Sequence, residues 1–377
     1  MKSRLRVTNH VRPWRENLAL SQEQLARRIG TSRQTINAIE AGRTMPNTVL
    51  ALRLAAALSC RVEDLFEMPD TDEEVTALLP GSRYEVATGT RVQLSTIHGR
   101  SVAVPLLGPL GATAALPEAD GIVCGQRGTA VRVRLTAPRD RSSDTVVIAG
   151  CDPTTPVVAG HLRRLHSRFE LRWLPAGSLQ ALRWLRHGAA HVAGMHLQGA
   201  RVGQTNTSAV RRVLRGMDVV VVRFVTWEQG LIVAPHNPRG IHGVADLARR
   251  DISIVNRERG SGARALLDAE LARHGLSPGH VAGYAREAFS HMAVAQAVAL
   301  NLVDAGIGIR VAARVHGLTF IPLQREAYDL VIPRPLLTHP PVEALLDTMR
   351  RRAVRRDLEA AGDYDTSELG KRLPVLA

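Results

Sequence analysis

The apolar positions near the N-terminal end of the chain recur with the period of an α-helix. Ser21 suits the N-cap of a first short helix, whose apolar side includes Leu25 and Ile29. Gly30 suits the left-handed residue that commonly ends such a helix. The pattern therefore predicts a short amphipathic helix that ends in a tight turn.

A second short helix is predicted directly after this turn. Ser32 suits its N-cap, and Ile36 and Ile39 share its buried face. The opposite face is polar at its N-terminal end, which is how a recognition helix meets the major groove of DNA. We expect Arg33 and Gln34 to face base edges and Gln22 and Arg43 to hold phosphates. The full predicted DNA-binding set is Gln22, Ser32, Arg33, Gln34, Thr35, Asn37 and Arg43.

These segments resemble the phage-repressor (Xre/Cro-type) helix-turn-helix family. The resemblance is carried by SQEQLA, TSRQTINAIEAGR and PNTVLALRLAAALSCRVEDLF, and it covers roughly residues 8–68. It implies a five-helix domain whose partner is DNA. Proteins of this kind usually pair so that two recognition helices match two half-sites, so a homodimer is expected.

Composition changes divide the rest of the chain. Acidic, proline-bounded residues 69–80 are typical of a linker, and residues 81–144 hold short β-type runs. From residue 145 to residue 377, apolar strand-like runs alternate with helical segments, which predicts an α/β domain with a mostly parallel sheet. The predicted fold class is therefore an all-α helix-turn-helix domain at 1–68, a small β-rich intervening module and a large α/β domain at 145–377.

Charge and cysteine content narrow the choice of partners. The net charge of +14 is carried almost wholly by arginine, because Lys2 and Lys371 are the only lysines. A positive surface attracts polyanions, but charge alone does not separate DNA from RNA or from an anionic ligand. Cys60, Cys124 and Cys151 have no metal-ligand spacing, which predicts reduced thiols in a cytoplasmic protein. No signal peptide or membrane-spanning run is recognisable, so no membrane partner is expected.

Three turns that contain glycine or serine lie where predicted strands give way to helices. They are Gly150-Cys151-Asp152, Ala176-Gly177-Ser178 and Gly260-Ser261-Gly262. Free backbone N–H groups at a helix N-terminus, with a small hydroxyl as the cap, can hold an anion. The three turns would then form one site, although each turn alone is more typical of an ordinary serine-capped helix start.

Residues from about 145 to 365 resemble the cytoplasmic domain of the periplasmic-binding-protein superfamily that is fused to helix-turn-helix domains or to molybdopterin-biosynthesis proteins of the MoeA type. The matching motifs, in chain order, are AGCDP, GSLQAL, HVAGMHL, EQGLIVAPHNP, VNRERGSGAR, GYAREAFSHMAVAQAVA, DAGIGI and FIPLQREAYDLVIP. The family pattern usually has Thr or Ser where this chain has Ala263. The resemblance implies two α/β lobes that close on a ligand by hinge motion.

The same resemblance implies where the ligand lies. In molybdate-binding relatives, serine hydroxyls and backbone amides hold an oxyanion, which maps onto Ser178, Ser261 and the three turns. Arginine suits a larger anion with phosphate or carboxylate groups. Tyr328 would close over the ligand, and His291 would point into the cleft from a helix start. The expected ligand-binding residues are Cys151, Asp152, Gly177, Ser178, Asn256, Arg257, Ser261, Gly262, Arg264, His291 and Tyr328.

No metal site, resident cofactor or catalytic residue is expected from the sequence. His187, His191 and His196 are spaced too irregularly for one helical face, and the segment that contains the last two predicts a strand. Cys151 has no His/Asp pattern to make it a nucleophile. The turn at Gly260 lacks the Lys-Ser/Thr pair of a Walker loop.

The predicted function is a one-component DNA-binding transcription regulator, not an enzyme, whose bilobed domain senses a small anion. By family analogy alone, molybdate or tungstate is the first candidate ligand and a molybdopterin-related compound the second. One alternative is an enzyme or accessory of molybdenum-cofactor metabolism with an attached DNA-binding domain, against which the missing acid/base pair counts. Another is a structural nucleic-acid-binding protein with a vestigial cleft.

Overall fold

The fold is that of a computed structural model, which describes residues 7–67, 73–80, 85–106, 118–136, 139–197, 204–362 and 364–373. The chain divides into two compact units, Met1–Glu74 and Val75–Ala377. Among the described helices, none is long and apolar enough to cross a membrane.

Residues 7–67 form five helices and a two-stranded sheet. The helices are α1 (Val11–Asn17), α2 (Gln22–Ile29), α3 (Arg33–Glu40), α4 (Thr48–Leu58) and α5 (Val62–Leu65), and strand β1 (Thr8–Asn9) pairs with β2 (Phe66–Glu67). The side chains of Ser21 and Ser32 cap α2 and α3, and Gly30 ends α2 at a φ of 68°. These three local predictions are confirmed.

A buried ion pair joins the first three helices. Arg15 Nε lies 2.6 Å from Glu40 Oε1, and Arg15 Nη1 donates to the Leu20 carbonyl at 2.7 Å. Gln22 Nε2 donates to the other oxygen of Glu40 at 2.9 Å. The carboxylate of Glu40 thus ties α3 to both α1 and α2, beside an apolar core that includes Leu25 and Ile36.

Five strands of the second unit close into a small barrel. They are β3 (Glu74–Leu78), β4 (Arg91–Ile97), β5 (Arg100–Pro105), β6 (Gly121–Arg127) and β7 (Ala130–Leu135), in the order β3-β5-β4-β6-β7. The prediction of a linker over 69–80 is wrong for β3. Val75 and Ala77 are buried in the barrel core, and the acidic residues around this short alternating run hid its pattern.

The rest of the second unit is an α/β domain. Its strands are β8 (Thr145–Gly150), β9 (Glu170–Pro175), β10 (Val192–Met195), β11 (Val219–Val233), β12 (Ile254–Arg257), β13 (Glu287–Ala288), β14 (Ala305–Ile309), β15 (Thr319–Pro333) and β16 (Arg372–Leu373). Its helices are α6 (Thr155–Leu165), α7 (Ser178–Arg186), α8 (Gln204–Val213), α9 (Gly262–Arg273), α10 (His291–Ala299), α11 (Arg310–Val315), α12 (Pro340–Met349) and α13 (Arg352–Gly362).

One sheet of nine strands runs through this domain in the order β13-β12-β14-β11-β15-β10-β8-β9, with β16 beside β11. The sheet is mixed rather than mostly parallel as predicted. Parallel pairs occur at its two ends, whereas the long strands β11 and β15 pair antiparallel with each other. We call β8–β10 with their helices the first lobe and β12–β14 with α9 and α10 the second lobe; β11 and β15 belong to both.

The barrel is joined to the first lobe by a buried ion pair. The guanidinium of Arg172 on β9 pairs with the carboxylate of Asp120, with Nη2 and Oδ1 3.0 Å apart. Arg172 Nη1 also donates to the Leu94 carbonyl on β4 at 2.7 Å, and Leu94 N donates to Asp120 at 2.6 Å. Both charged side chains are less than a tenth exposed. Removing one partner would therefore leave a charge in a poorly solvated site.

We expect Asp120→Ala to lower the free energy of unfolding by about 3 kcal/mol, because it leaves the buried guanidinium without its main partner. Glu118→Ala is the matched control, since Glu118 forms an exposed pair with Arg141 at 3.5 Å. That change should cost less than about 1 kcal/mol. Denaturant unfolding of the full chain measures both values, and equal losses would contradict the assigned role of Asp120.

A buried histidine makes a second junction between the barrel and the first lobe. His191 Nδ1 accepts a hydrogen bond from Val147 N at 3.0 Å, and its Nε2 lies 3.2 Å from the Thr96 carbonyl. This arrangement requires the neutral ring with its proton on Nε2. Burial, assisted by nearby His339, lowers the pKa of His191 to about 4. The folded chain therefore keeps this ring neutral at pH values where the unfolded chain protonates it.

This difference predicts an acid-side loss of stability. The contribution of His191 to the free energy of unfolding is fully present above the ordinary histidine pKa of about 6.5. As the pH falls from there to about 4, this contribution decreases by about 1.4 kcal/mol for each pH unit. His191→Gln should flatten that part of the profile of unfolding free energy against pH. The exposed His187→Gln should leave the slope unchanged, and an unchanged slope in the His191 variant would refute the assignment.

Candidate functional site

The N-terminal unit presents polar side chains from α3 on its surface. Arg33, Gln34 and Asn37 are exposed on this helix. The Ser32 hydroxyl accepts from Thr35 N at 3.1 Å and lies 2.9 Å from the Thr35 hydroxyl, so both of these side chains also stabilise the helix start. Backbone geometry and burial thus leave the predicted base-reading side chains free to contact a groove.

The two predicted phosphate-binding residues differ in their surroundings. Arg43 is exposed, and its Nη2 donates to Asn37 Oδ1 at 2.9 Å, which places its charge beside the polar face of α3. Gln22 is only partly exposed because its amide group is bound to Glu40. Its contact with phosphate remains a prediction.

We expect Arg33→Ala to cost roughly 1–3 kcal/mol on a selected operator and to relax base preference at one position. Arg43→Ala should weaken binding to operator and random DNA alike and reduce the salt slope by about one. Fluorescence anisotropy with both DNAs over a range of salt concentrations separates the two patterns. Equal losses on both DNAs for Arg33→Ala would rule out base recognition by this side chain.

A second candidate site lies between the lobes of the α/β domain. Polar side chains meet there from β11 and β15, the two strands that belong to both lobes, and from the ends of β8, β10 and β12. We call this group the interlobe cluster; its members are Cys151, Asp152, His196, Trp227, Gln229, Arg257, His291, Glu326 and Tyr328. All nine are buried, with exposed fractions of 4% or less.

Aromatic rings pack against one another within the interlobe cluster. The Trp227 ring centre lies 4.7 Å from that of Tyr328, 5.0 Å from that of His196 and 5.9 Å from that of His291. The Tyr328 hydroxyl occupies space beside Gly150 and Gly194, where a Cβ atom on either residue would collide with it. The two glycines are therefore needed for this ring to fit.

His196 Nδ1 lies beside polar side chains of both β11 and β15. Its Nδ1 lies 2.8 Å from Glu326 Oε2 and 2.9 Å from Gln229 Nε2, and Gln229 also contacts the same carboxylate. Burial acts to lower the pKa of His196, but the neighbouring Cys151 thiol and the Glu326 carboxylate raise it to about 10. The Glu326 contact directs Nδ1–H to the carboxylate.

The second lobe contributes a neutral histidine and a buried arginine. Burial, with Arg257 and His196 nearby, lowers the pKa of His291 well below its usual range. Arg257 is fully buried; its Nε donates to Glu258 Oε2 at 2.9 Å and to the Ala288 carbonyl at 3.1 Å. The arginine charge is thus balanced by Glu258 on one side of the guanidinium only.

Asp152 and Tyr328 fill the turn after β8. Asp152 accepts hydrogen bonds from Thr154 N and from the Tyr364 hydroxyl, each at 2.9 Å, while burial raises its pKa to about 6. The Tyr328 hydroxyl lies against the backbone amides of Cys151 and Asp152, and burial raises its pKa well above the usual range. The amides predicted to hold an anion therefore already face a phenol oxygen.

The predicted serine ligands are engaged with the protein as well. The Ser178 hydroxyl bonds the backbone of His196, at 2.8 Å to its carbonyl and 3.1 Å to its amide. Ser261 caps α9 and donates to the Glu258 carbonyl at 2.9 Å. Gly177 lies against Glu258, and Gly262 lies against His196, so the two turns are packed together across the lobes. An anion can reach both hydroxyls only if the lobes separate.

Two other predicted ligands have structural partners. Asn256 Nδ2 donates to the Tyr284 carbonyl at 3.3 Å, and its Oδ1 accepts from Arg257 N at 2.9 Å. Arg264 pairs with Glu287 at 2.9 Å and lies over the Tyr284 ring at 4.6 Å. Their roles as ligand-binding residues remain predictions.

Several buried polar atoms of the interlobe cluster lack a hydrogen-bond partner within the described ranges. They are His196 Nε2, Trp227 Nε1, Gln229 Oε1, Arg257 Nη1, both ring nitrogens of His291 and Glu326 Oε1. Buried polar groups are normally bonded, because leaving one unpaired costs about 1–3 kcal/mol. Such a concentration at one place is typical of a site that takes up a ligand.

The expectation that no metal site exists remains a prediction, and one group of buried side chains bears on it. Ligand atoms of Cys151, His196 and His291 lie within 4.8 Å of one another, and all three residues are buried. Residue spacing along the chain can reveal metal ligands that share one face of a helix. These three residues instead come from three separate strands or helices, so spacing could not bring them together. Gln229 and Glu326 also escaped prediction, although polar residues inside otherwise apolar strands are a usable signal.

Known proteins resemble both units. A family model described as "PBP superfamily domain" matches residues 159–350, and one described as "Helix-turn-helix" matches residues 12–65. Bacillus subtilis "Uncharacterized protein YvgK" is 35% identical over 226 residues, which are 60% of this chain and 72% of that protein. A Methanothermobacter thermautotrophicus "Uncharacterized HTH-type transcriptional regulator" is 49% identical over 57 residues, 15% of this chain and 83% of that protein. Both sequence resemblances are thereby confirmed.

Proposed function

Because this chain belongs to the PBP superfamily and also carries a helix-turn-helix domain, we propose that a small anion bound between its lobes controls its affinity for DNA. The protein is a DNA-binding transcription regulator with a PBP-like ligand-binding domain. The finer proposal is a homodimer in the cytoplasm, whose paired recognition helices contact half-sites about 34 Å apart.

The observation that carries the proposal is the set of unpartnered donors in the interlobe cluster. Arg257 is fully buried, and its Nη1 has no partner within the described part of the chain. Trp227 Nε1 is a second such donor. Charge-assisted hydrogen bonds from such groups are the strong contacts by which proteins hold oxyanions.

Molybdate or tungstate is the first candidate ligand, by family analogy. The unpartnered acceptors Gln229 Oε1 and Glu326 Oε1 favour the second candidate, a molybdopterin-related compound. A pterin offers N–H donors to such oxygens, whereas a fully deprotonated oxyanion offers none. Calorimetry of the full chain with molybdate, tungstate, phosphate and a soluble pterin distinguishes these ligands.

A matched pair of tryptophan variants tests the location of the ligand. Trp227→Phe removes an unpartnered indole N–H from the interlobe cluster and keeps an aromatic ring. Trp184→Phe removes the unpartnered indole N–H of another buried tryptophan, in the core of the first lobe. We expect the first change to weaken ligand binding about tenfold or more, as for a lost bond to a charged group, and the second to have little effect. Equal effects would place the ligand elsewhere.

Regulation requires reciprocal coupling between ligand and operator. Saturating ligand should change operator affinity by about 5–150-fold, and operator should change ligand affinity by the same factor. Anisotropy measures the first change and calorimetry measures the second. An unchanged operator affinity in a protein that binds the ligand would reject the sensor and favour an accessory role in molybdenum-cofactor metabolism.

A further inference from the structure

Cys151, His196 and His291 bring one sulfur and two imidazole rings together between the lobes. Cys151 follows β8, His196 follows β10, and His291 is the first residue of α10. One ligand atom from each residue lies within 4.8 Å of the other two. Tetrahedral zinc with bonds of about 2.3 Å to sulfur and 2.0–2.1 Å to nitrogen needs ligand atoms about 3.3–3.6 Å apart. If each of the three ligand atoms moved inward by roughly 1 Å or less, the group would reach that geometry.

The imidazole rings of His196 and His291 differ from the buried ring of His191 in their hydrogen bonding. Neither ring nitrogen of His291 has a hydrogen-bond partner among the described residues, although the side chain is 1% exposed. His191 is equally buried, yet both of its nitrogens are bonded. The fold therefore provides hydrogen-bond partners for the buried ring of His191, but its described residues provide none for the ring nitrogens of His291.

The surroundings of His196 match those of a metal-bound histidine. Its Nδ1 lies 2.8 Å from Glu326 Oε2, while its Nε2 has no partner in the described ranges. A carboxylate on one ring nitrogen fixes the tautomer and ring orientation so that the other nitrogen can bind a metal. Gln229 contacts the same carboxylate and holds it in place.

We propose that Cys151, His196 and His291 bind a borderline-soft divalent transition-metal cation, with Zn²⁺ as the reference case. Binding forms one metal–thiolate bond and two metal–nitrogen bonds, and it releases the Cys151 thiol proton and the Nε2 proton of His196 to solvent. No oxidation or reduction is involved. Three protein ligands leave the fourth position of a tetrahedral ion open to water or to an added anion. The proposal stands without the proposed anion, because the metal alone is the test ligand.

Cobalt(II) titration of the reduced, chelator-treated full chain tests the site. We expect one Co²⁺ per chain, the charge-transfer absorption of a cobalt–thiolate bond, and the visible bands of tetrahedral cobalt, all abolished by Zn²⁺. Cys151→Ser should remove the charge-transfer band, and His291→Gln should weaken cobalt binding at least tenfold. Cys60→Ser, Cys124→Ser and the exposed His187→Gln are matched controls and should bind as the parent protein does.

Glu326→Gln tests the positioning role of the carboxylate. Loss of a partner of this kind typically weakens metal binding 10–100-fold, with the spectrum of the bound ion retained. Unfolding of each metal-free variant, compared with the metal-free parent protein, separates lost metal binding from lost folding. Cobalt spectra that persist in folded Cys151→Ser would overturn the proposal. So would a folded parent protein that binds no cobalt at a stoichiometric concentration, which would leave the three residues as a packed thiol–imidazole group.

Discussion

The antiparallel pairing of β11 with β15 is the interaction on which the α/β domain depends. It extends from Val219 opposite Pro333 to Val233 opposite Thr319. The same two strands therefore belong to the sheet of both lobes. β10 pairs with one end of β15, and β14 pairs with the far end of β11. The middle of the pair therefore lies between the lobes, where side chains from either strand reach residues of both.

This placement explains why polar residues are tolerated within long buried strands. Trp227 lies opposite Glu326 in the register, and Gln229 is two residues further along the same face of β11. Side chains at such direct and diagonal positions are close enough to interact across the pair. Glu326 consequently meets both Gln229 and His196, and a carboxylate that would be costly in an apolar core has hydrogen-bond partners there.

Close packing of the lobes buries the interlobe cluster. The turns that contain Gly177 and Gly262 pack across the lobes, and Tyr328 fills the space beside Gly150 and Gly194. In such a buried position, the unpartnered groups of Arg257 and His291 would gain more from a bound ion than exposed groups would. Entry of an ion would require separation of the lobes, which is the hinge motion that the proposed function calls for.

Local pattern in the sequence was sufficient for the helix-turn-helix unit. Caps such as Ser21 and Ser32, and the helical spacing of Ile36 and Ile39, act within a few residues of the chain, so their structural consequences can be predicted without a fold. The family motifs likewise predicted two α/β lobes, because they preserve the order of strands and turns.

Tertiary structure alone decided which side chains share a site. Ser178 and Ser261 looked like free hydroxyls in the sequence, but the packing of the lobes gives both of them backbone partners. Cys151, His196 and His291 are far apart in the chain, and only strand order and the position of α10 bring them together. Residue spacing reports faces of a single helix or strand, whereas contacts among three elements depend on sheet register and closure of the lobes, which no local pattern encodes.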